Sequence, residues 1–292
     1  MGNNIRIQLK RFYYKYNRRI FNKKNFVQML LLFVVINIYV SPIKDFSEMT
    51  NYKVTPWVYP FLLSDANFLA MFIAGVVYYF SNVPFMQKSI SYYLLRGGRK
   101  KWIMEQFIYI ILSAFVITGV SIVLSIIALM PCVVFEADWG NVLFTLARTN
   151  AGSMVKMFWN ISIHFIRNYS PVWGMALTIL LTVIGIIFIG MLMFFLSIYV
   201  NRIVSVVVAT VLILYSAVVA NIGNTFEKSF AMFSPLSWLR VTRIDVVEYG
   251  FSVSPTITYI IICFIGAILF LNILIWKRCK KIDFIWENEN EA

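Results

Sequence analysis

Six long runs without a charged side chain alternate along this chain with segments that carry Lys and Arg. The uncharged runs are residues 25–43, 66–87, 106–135, 168–201, 203–226 and 249–276. Each supplies about 17 to 25 mainly apolar residues, and a helix of that length crosses a hydrocarbon core of roughly 30 Å. The pattern predicts an all-α membrane protein with six transmembrane helices. Five or seven spans are the alternatives, because the ends of such runs are poorly defined.

Composition agrees with a membrane protein, since 60% of the residues are hydrophobic, 13% are charged and the mean hydropathy is +0.77. These values exclude a soluble globular domain. Only Arg202 separates the fourth and fifth runs, so we expect an antiparallel helix pair with a very short connection. Small residues inside the runs predict close helix approach or, alternatively, a path for an amphiphile. They are Gly75, Ser113, Gly119, Ser121, Ser125, Gly185, Gly190, Ser197, Ser216, Gly266 and Asn272.

The basic residues are distributed unevenly between the two sets of connections. Eighteen lie in the leader, the second and fourth connections and the tail, against eight in the remaining connections. By the positive-inside rule both termini are cytoplasmic. The predicted organisation is a cytoplasmic amphipathic basic helix at 1–24, a transmembrane domain at 25–276 and a cytoplasmic tail at 277–292. We interpret the net charge of +13 as a topology signal and a contact with anionic membrane lipid, with no nucleic-acid partner.

The leader has an apolar stripe at helical spacing, which predicts a helix lying in the inner membrane interface. The stripe consists of Ile5, Leu9, Phe12, Tyr16 and Ile20. Arg18 and Arg19 are the candidate interface residues of this helix. A disordered basic leader is the alternative. The long leader and the absence of an Ala-x-Ala pattern after the first run predict a retained span rather than a cleaved signal peptide.

The connection between the second and third runs has the most specific sequence. Pro84 can close the second span, and residues 89–96 form a short amphipathic segment. The Gly97-Gly98 pair predicts a helix stop with a positive φ, after which a basic segment restarts the helix. An ordinary basic loop is the alternative. The candidate membrane-interface residues of the restart are Lys100, Lys101 and, at headgroup level, Trp102.

This arrangement resembles the membrane subunits of ABC transporters of the type 2 exporter family. The resemblance rests on the leader, the six spans with both ends inside, and the sequence LLRGGRKKW at 94–102. It implies that the leader is an elbow helix and that 89–96 is a coupling helix, which docks on a separate ATPase subunit. The positions assigned to this coupling are Ser89, Ile90, Tyr92, Tyr93, Leu94, Leu95, Arg96 and Arg99.

Two connections on the opposite side carry further signals. Residues 136–167 form a longer segment than this family's compact members have, with apolar positions that predict amphipathic helices on the outer leaflet. Residues 233–239 resemble the re-entrant segment before the final span of such exporters. An interfacial hairpin with an aromatic anchor is the alternative for this second segment.

Several kinds of chemistry are missing from the sequence. No stretch matches a Walker A loop, so ATP hydrolysis is expected on a partner subunit. The scattered Cys132, Cys263 and Cys279 and the single His164 predict no disulfide framework, metal, cofactor or catalytic site. The spans contain no buried ionisable group, which disfavours an ion-coupled carrier.

The function expected from these features is that of a permease subunit of an ATP-driven exporter in a bacterial plasma membrane. It would work with an ABC ATPase subunit and a second permease chain, and move a hydrophobic or amphiphilic substrate such as a peptide, drug or lipid. A non-transporting membrane scaffold or sensor subunit is the alternative.

Overall fold

The computed structural model describes residues 23–83, 90–221, 230–244, 247–248, 251–252 and 255–279, with the backbone alone at 90–97, 247–248, 251–252 and 279. The predicted leader helix with Arg18 and Arg19, the residue Ser89 and the tail beyond 279 lie outside the described residues.

Helices form nearly all of the regular structure in the described part of the chain. They are α1 (Lys23–Thr50), α2 (Tyr59–Ser64), α3 (Ala66–Phe80), α4 (Ile90–Leu129), α5 (Gly140–Arg148), α6 (Ile163–Asn168), α7 (Pro171–Tyr199), α8 (Arg202–Asn221) and α9 (Ile257–Cys279). Short 3-10 helices occur at Asn150–Ser153, Ser237–Leu239 and Val241–Arg243. Two two-residue strands, β1 (Val247–Glu248) and β2 (Phe251–Ser252), pair antiparallel.

Five of these helices are long and apolar enough to cross a membrane: Lys23–Thr50, Gly98–Leu129, Pro171–Tyr199, Arg202–Asn221 and Ile257–Arg278. The chain is therefore a multi-pass membrane protein. The second predicted span contributes α3, whose 15 residues extend about 22 Å, less than the hydrocarbon thickness. A sixth span stays a prediction.

Helix α7 lies at the centre of the bundle, in contact with α3, α4, α8 and α9. In α7, 61% of the most apolar window is buried, against 17% to 33% in the other four long helices. The predicted helix pair is confirmed, because α7 ends at Tyr199, α8 begins at Arg202 and the two helices pack together. Close approach at glycines is confirmed at Gly185 and Gly190, where an added Cβ would lie 2.8 Å from Leu239 and 2.7 Å from Ile110.

Two opposite ends of the bundle can be recognised from contacts between distant segments. At one end, the backbone of Val54 bonds to that of Cys132 and Val134. We call this end the cap; it comprises residues 51–65, 130–170 and 231–244. At the other end, the Tyr199 hydroxyl donates to the carbonyl of Leu274 near the end of α9. The beginning of α1 lies at this end as well, because Lys24 contacts Ser81 there. Which end faces the cytoplasm stays a prediction.

The cap corrects the interpretation of residues 136–167. Helices α5 and α6 do form there, but Val142, Leu143 and Leu146 are buried inside the protein rather than placed on lipid. They belong to the same hydrophobic core as Phe61 and Phe165. The apolar positions of this segment therefore pack against other parts of the cap.

The segment before α9 enters the bundle. Leu239 packs against Gly185, which lies about 21 Å along α7 from Pro171. Trp238 is buried, with its ring 5.0 Å from that of Phe264. Trp238 and Leu239 thus pack inside the protein, as residues of a re-entrant segment would, and the interfacial hairpin stays the alternative because Phe233 of the same segment is 78% exposed.

Candidate functional site

The most distinctive backbone feature is a break inside α4. The chain is helical from Ile90 to Gly97 and again from Arg99, while Gly98 has φ 75° and ψ 156°. This conformation is almost confined to glycine, because a Cβ would collide with the backbone. The predicted helix stop with a positive φ is confirmed at Gly98.

The break separates a short helix from a long one. The short piece carries most of the predicted coupling set, namely Ile90, Tyr92, Tyr93, Leu94, Leu95 and Arg96. Their docking role stays a prediction. On the far side of the break, Arg99, Lys100 and Lys101 are exposed, as expected of basic residues at a membrane interface.

Trp102 requires a correction. Its side chain is only 1% exposed, and its ring centroid lies 5.9 Å from that of Phe194 on α7. The indole therefore connects the first turns of the long part of α4 to the central helix and does not point to lipid headgroups.

Four polar residues near the break hold three helices together, and we call them the clamp: Lys24, Ser81, Asn82 and Arg202. The ammonium group of Lys24 donates to Ser81 Oγ at 3.0 Å and lies 4.1 Å from the centre of the Tyr78 ring. Arg202 donates through Nε to the Ser81 carbonyl at 2.7 Å and through Nη2 to Asn82 Oδ1. The clamp joins the first residues of α1 and α8 to the end of α3.

Sequence reasoning counted Lys24 and Arg202 only as topology charges and missed the clamp. A signal was available for Arg202, because a cation at the short junction between two apolar helices can reach only nearby helix ends. No signal identified Ser81 and Asn82 as its acceptors, since that requires knowing where α3 ends.

Hydrogen bonds between hydroxyl groups lie buried within the bundle. Tyr79 Oη lies 2.7 Å from Tyr109 Oη and 3.1 Å from Ser113 Oγ. Tyr59 Oη lies 3.1 Å from Ser121 Oγ. From the sequence, the two serines were predicted to allow close helix approach or to line a path for an amphiphile. In the structure they also form hydrogen bonds with buried tyrosine hydroxyls.

An apolar groove of about 310 Å³ opens between α1, α3 and α4. Its lining contains no charged residue and consists of Val27, Gln28, Leu31, Leu32, Val35, Met71, Phe72, Ala74, Gly75, Val76, Tyr78 and Ile117. The Gln28 side chain donates to the Gly75 carbonyl at 2.7 Å and so pins α1 to α3 beside the groove.

A second and more polar cavity lies at the cap end, and we call it the cap pocket. Its volume is about 440 Å³. It is lined by Ser64, Asp65, Phe158, Trp159, Asn160, Ile161, Ser162, Ile163, His164, Arg240, Thr242 and Arg243. His164 is half-buried in this lining, and the Asn168 amide lies 2.9 Å from its Nε2.

Comparisons with known proteins add no relative to these observations. No protein-family model, no curated protein and no solved structure matches the chain. In the residues that the structure describes, no group of three or more His, Cys, Asp and Glu side chains could hold a metal ion.

Proposed function

We propose that this chain is the membrane-spanning permease subunit of an ATP-driven ABC exporter in a bacterial plasma membrane. A separate ATPase subunit supplies the energy, and a second permease chain completes the translocation path. The substrate is a hydrophobic or amphiphilic molecule.

The break at Gly98 is the observation that supports this proposal most strongly. A helix that receives a push from a soluble subunit must be short, must lie at the end of the bundle and must be separated from the span it moves. The helix from Ile90 to Gly97 meets the first and third requirements. The exposed basic residues that follow, together with the nearby clamp, support its position at the cytoplasmic end.

The contacts around the break define how a displacement would spread. Trp102 connects the long part of α4 to α7, so a force at the break reaches the central helix. The clamp connects the end of α3 to α1 and α8. In this proposal a movement of the short helix reaches α7 through Trp102, while α1, α3 and α8 can rearrange at the clamp.

The charge-free groove supports a hydrophobic cargo. Transfer of an ion or a sugar from water to this apolar lining would cost free energy. An acyl chain or an apolar side chain could instead replace lipid there at little cost. The hydrogen bond to the Gly75 carbonyl fixes the Gln28 side chain, which places one polar amide group in the otherwise apolar lining.

The experiment is reconstitution of the full chain with a candidate ABC ATPase subunit from the same organism. We expect the wild-type permease to bind the ATPase and to stimulate ATP hydrolysis in liposomes. Leu95→Asp or deletion of residues 89–96 should abolish the complex. Gly98→Ala should keep the complex but reduce the stimulation several-fold, because alanine disfavours the Gly98 conformation by about 1–3 kcal/mol.

Gly119→Ala is the matched control, since Gly119 lies on the same helix with no atom within 4 Å of an added Cβ and no positive φ. It should behave as wild type. If deletion of 89–96 leaves both the complex and the stimulation intact, the coupling assignment is wrong. If the wild-type chain assembles with another complex and never changes ATP hydrolysis, the scaffold or sensor alternative is correct.

A further inference from the structure

We propose that an exposed stripe of α9 binds α9 of a second copy of this chain, with the Asn272 amides of the two copies hydrogen-bonded to each other. The inference deepens the proposed function, on which it rests only in that an exporter needs a second permease chain. Its test contains no ATPase, so a failure here is distinguishable from a failure of the coupling assignment at residues 89–96.

Helix α9 is the span that the rest of the chain covers least. Only 17% of its most apolar window is buried, against 28% or more in the other four long helices. It packs against α7, where the Phe264 and Phe188 rings lie 5.7 Å apart. In the part of the chain that the structure describes, most of the surface of α9 is therefore available to lipid or to another protein helix.

A stripe on the exposed side of α9 has the spacing of a helix–helix contact. Its residues recur at intervals of four and three, as the a and d positions of a coiled coil do. We call it the α9 stripe: Thr258, Ile262, Ile265, Leu269, Asn272 and Trp276. Ile262, Ile265 and Leu269 are 64%, 49% and 56% exposed. Two helices with this repeat can pack side by side with a left-handed crossing of about 20°.

Asn272 is the residue of this stripe that needs a partner. It lies five residues before Lys277, about 7.5 Å along the helix axis, so its amide is inside the apolar layer. No residue in the described part of the chain forms a hydrogen bond with this half-buried side chain. By contrast, Asn37 and Asn221 donate to carbonyls of their own helices at 3.3 and 2.8 Å. An unpaired amide in hydrocarbon is unfavourable, because no water is there to bond it.

The amide, rather than the apolar area, selects what covers the stripe. Lipid chains cover Ile and Leu side chains about as well as a protein helix does, so apolar contact alone gives little preference for a protein partner. An Asn side chain has both a carbonyl acceptor and an NH₂ donor, and one such amide can therefore satisfy another. A single Asn in a helix–helix contact also fixes which residues face each other.

Two-fold symmetry makes a second copy the partner that fits this amide. Copies inserted in the same orientation are related by an axis along the membrane normal, so each residue of α9 lies at the same depth as its counterpart. Asn272 of one copy therefore meets Asn272 of the other without a shift in register. Arg278 does not oppose the contact, because its guanidinium group lies 5.3 Å from the centre of the Tyr199 ring on α7 of its own chain.

The test measures association of the full chain in liposomes at several protein-to-lipid ratios, by energy transfer between copies that carry a donor or an acceptor fluorophore on a terminal tag. Asn272→Leu should weaken dimerisation about three- to tenfold, because it removes the hydrogen bonds between the amides at nearly constant side-chain size. Asn272→Gln keeps an amide and should retain more of the dimer. Asn37→Leu is the matched control and should leave dimerisation unchanged, because that amide bonds within its own helix.

Cysteine cross-linking locates the contact. In a chain whose Cys132, Cys263 and Cys279 are replaced by Ser, Leu269→Cys should form a disulfide between copies on mild oxidation, whereas Phe270→Cys should not. Phe270 is the control because it is 61% exposed, as Leu269 is 56% exposed, but points about 100° away from it around the helix. Both positions are exposed, so we expect the variants to fold, and an unchanged thermal midpoint will verify this.

Equal dimerisation of Asn272→Leu and the wild-type chain would overturn the proposal, as would equal cross-linking at positions 269 and 270. A wild-type chain that stays monomeric at every protein density would overturn the second copy as the occupant of the stripe. Neither result would change the expected binding of an ATPase at residues 89–96.

Discussion

The two ends of the bundle are held together by different kinds of contact. At the cap, tryptophan indoles form hydrogen bonds to the backbone of distant segments. Trp57 donates to the Glu136 carbonyl at 2.8 Å, and Trp139 donates to that of Tyr169 at 2.9 Å. At the opposite end, the donors of the clamp are the long side chains of Lys24 and Arg202, and Arg202 is exposed.

The difference indicates which end can move. An indole has only two side-chain torsions and brings a large apolar area to the contact, so its position is costly to change. Lys and Arg side chains are long and flexible, and exposed polar contacts contribute little net free energy. The cap is thus suited to act as a fixed support, while the clamp end, with the break at Gly98, can rearrange.

The largest effect should come from filling the contact between the cap and the central helix. Gly185→Leu places a side chain where an added Cβ already lies 2.8 Å from Leu239. We expect a loss of about 3 kcal/mol or more in the free energy of unfolding, because the 237–239 segment must leave its position. Thermal unfolding of the purified chain in detergent measures this.

Gly266→Leu is the control for Gly185→Leu, since nothing lies within 4 Å of a Cβ added at Gly266. It should change the midpoint little. Equal midpoints for the two variants would show that the cap segment does not depend on α7, and the comparison between the two ends would fail.

A smaller effect is expected from one indole hydrogen bond in the cap. Trp159→Phe removes the donor to the Tyr39 carbonyl, a buried contact that spans 120 residues of sequence. We expect a loss of about 0.5–1.5 kcal/mol. Trp173→Phe, at a ring that is 69% exposed, should be neutral in the same measurement. A neutral Trp159→Phe would mean that ring packing alone holds the cap.

Much of the helix framework could be predicted because it follows from local properties. The pairing of α7 with α8 follows from a single Arg202 between two apolar runs, and the break follows from the conformational freedom of Gly98. The end of α1 was less predictable. The charge-free run ends at residue 43, yet the helix continues to Thr50, because residues such as the half-buried Lys44 and the exposed Asp45 can extend a helix beyond the apolar layer.

The candidate sites were far less predictable, because they depend on contacts between distant segments. Arg240 was counted as a basic residue of an outer loop, but contact with Ser64, 176 residues away, buries it. Trp102 has the sequence context of an interface anchor, and only its packing on Phe194 shows that it points inward. Sequence patterns predict whether a segment is helical and how it is charged. They do not predict which distant segment packs against it.

The smallest effect on stability is expected at the clamp. Arg202→Gln removes the contacts with Ser81 and Asn82 at an exposed position. The free energy of unfolding should therefore fall by less than about 1 kcal/mol, which thermal unfolding measures. Backbone amides at the end of α3 should nevertheless exchange with deuterium several-fold faster, because the clamp restrains that helix end locally. Lys100→Gln, at a neighbouring exposed cation outside the clamp, should leave this exchange unchanged. If Arg202→Gln lowers the midpoint as much as Trp159→Phe does, the two ends are equally fixed, and a cap that supports a movable clamp end is the wrong description of this bundle.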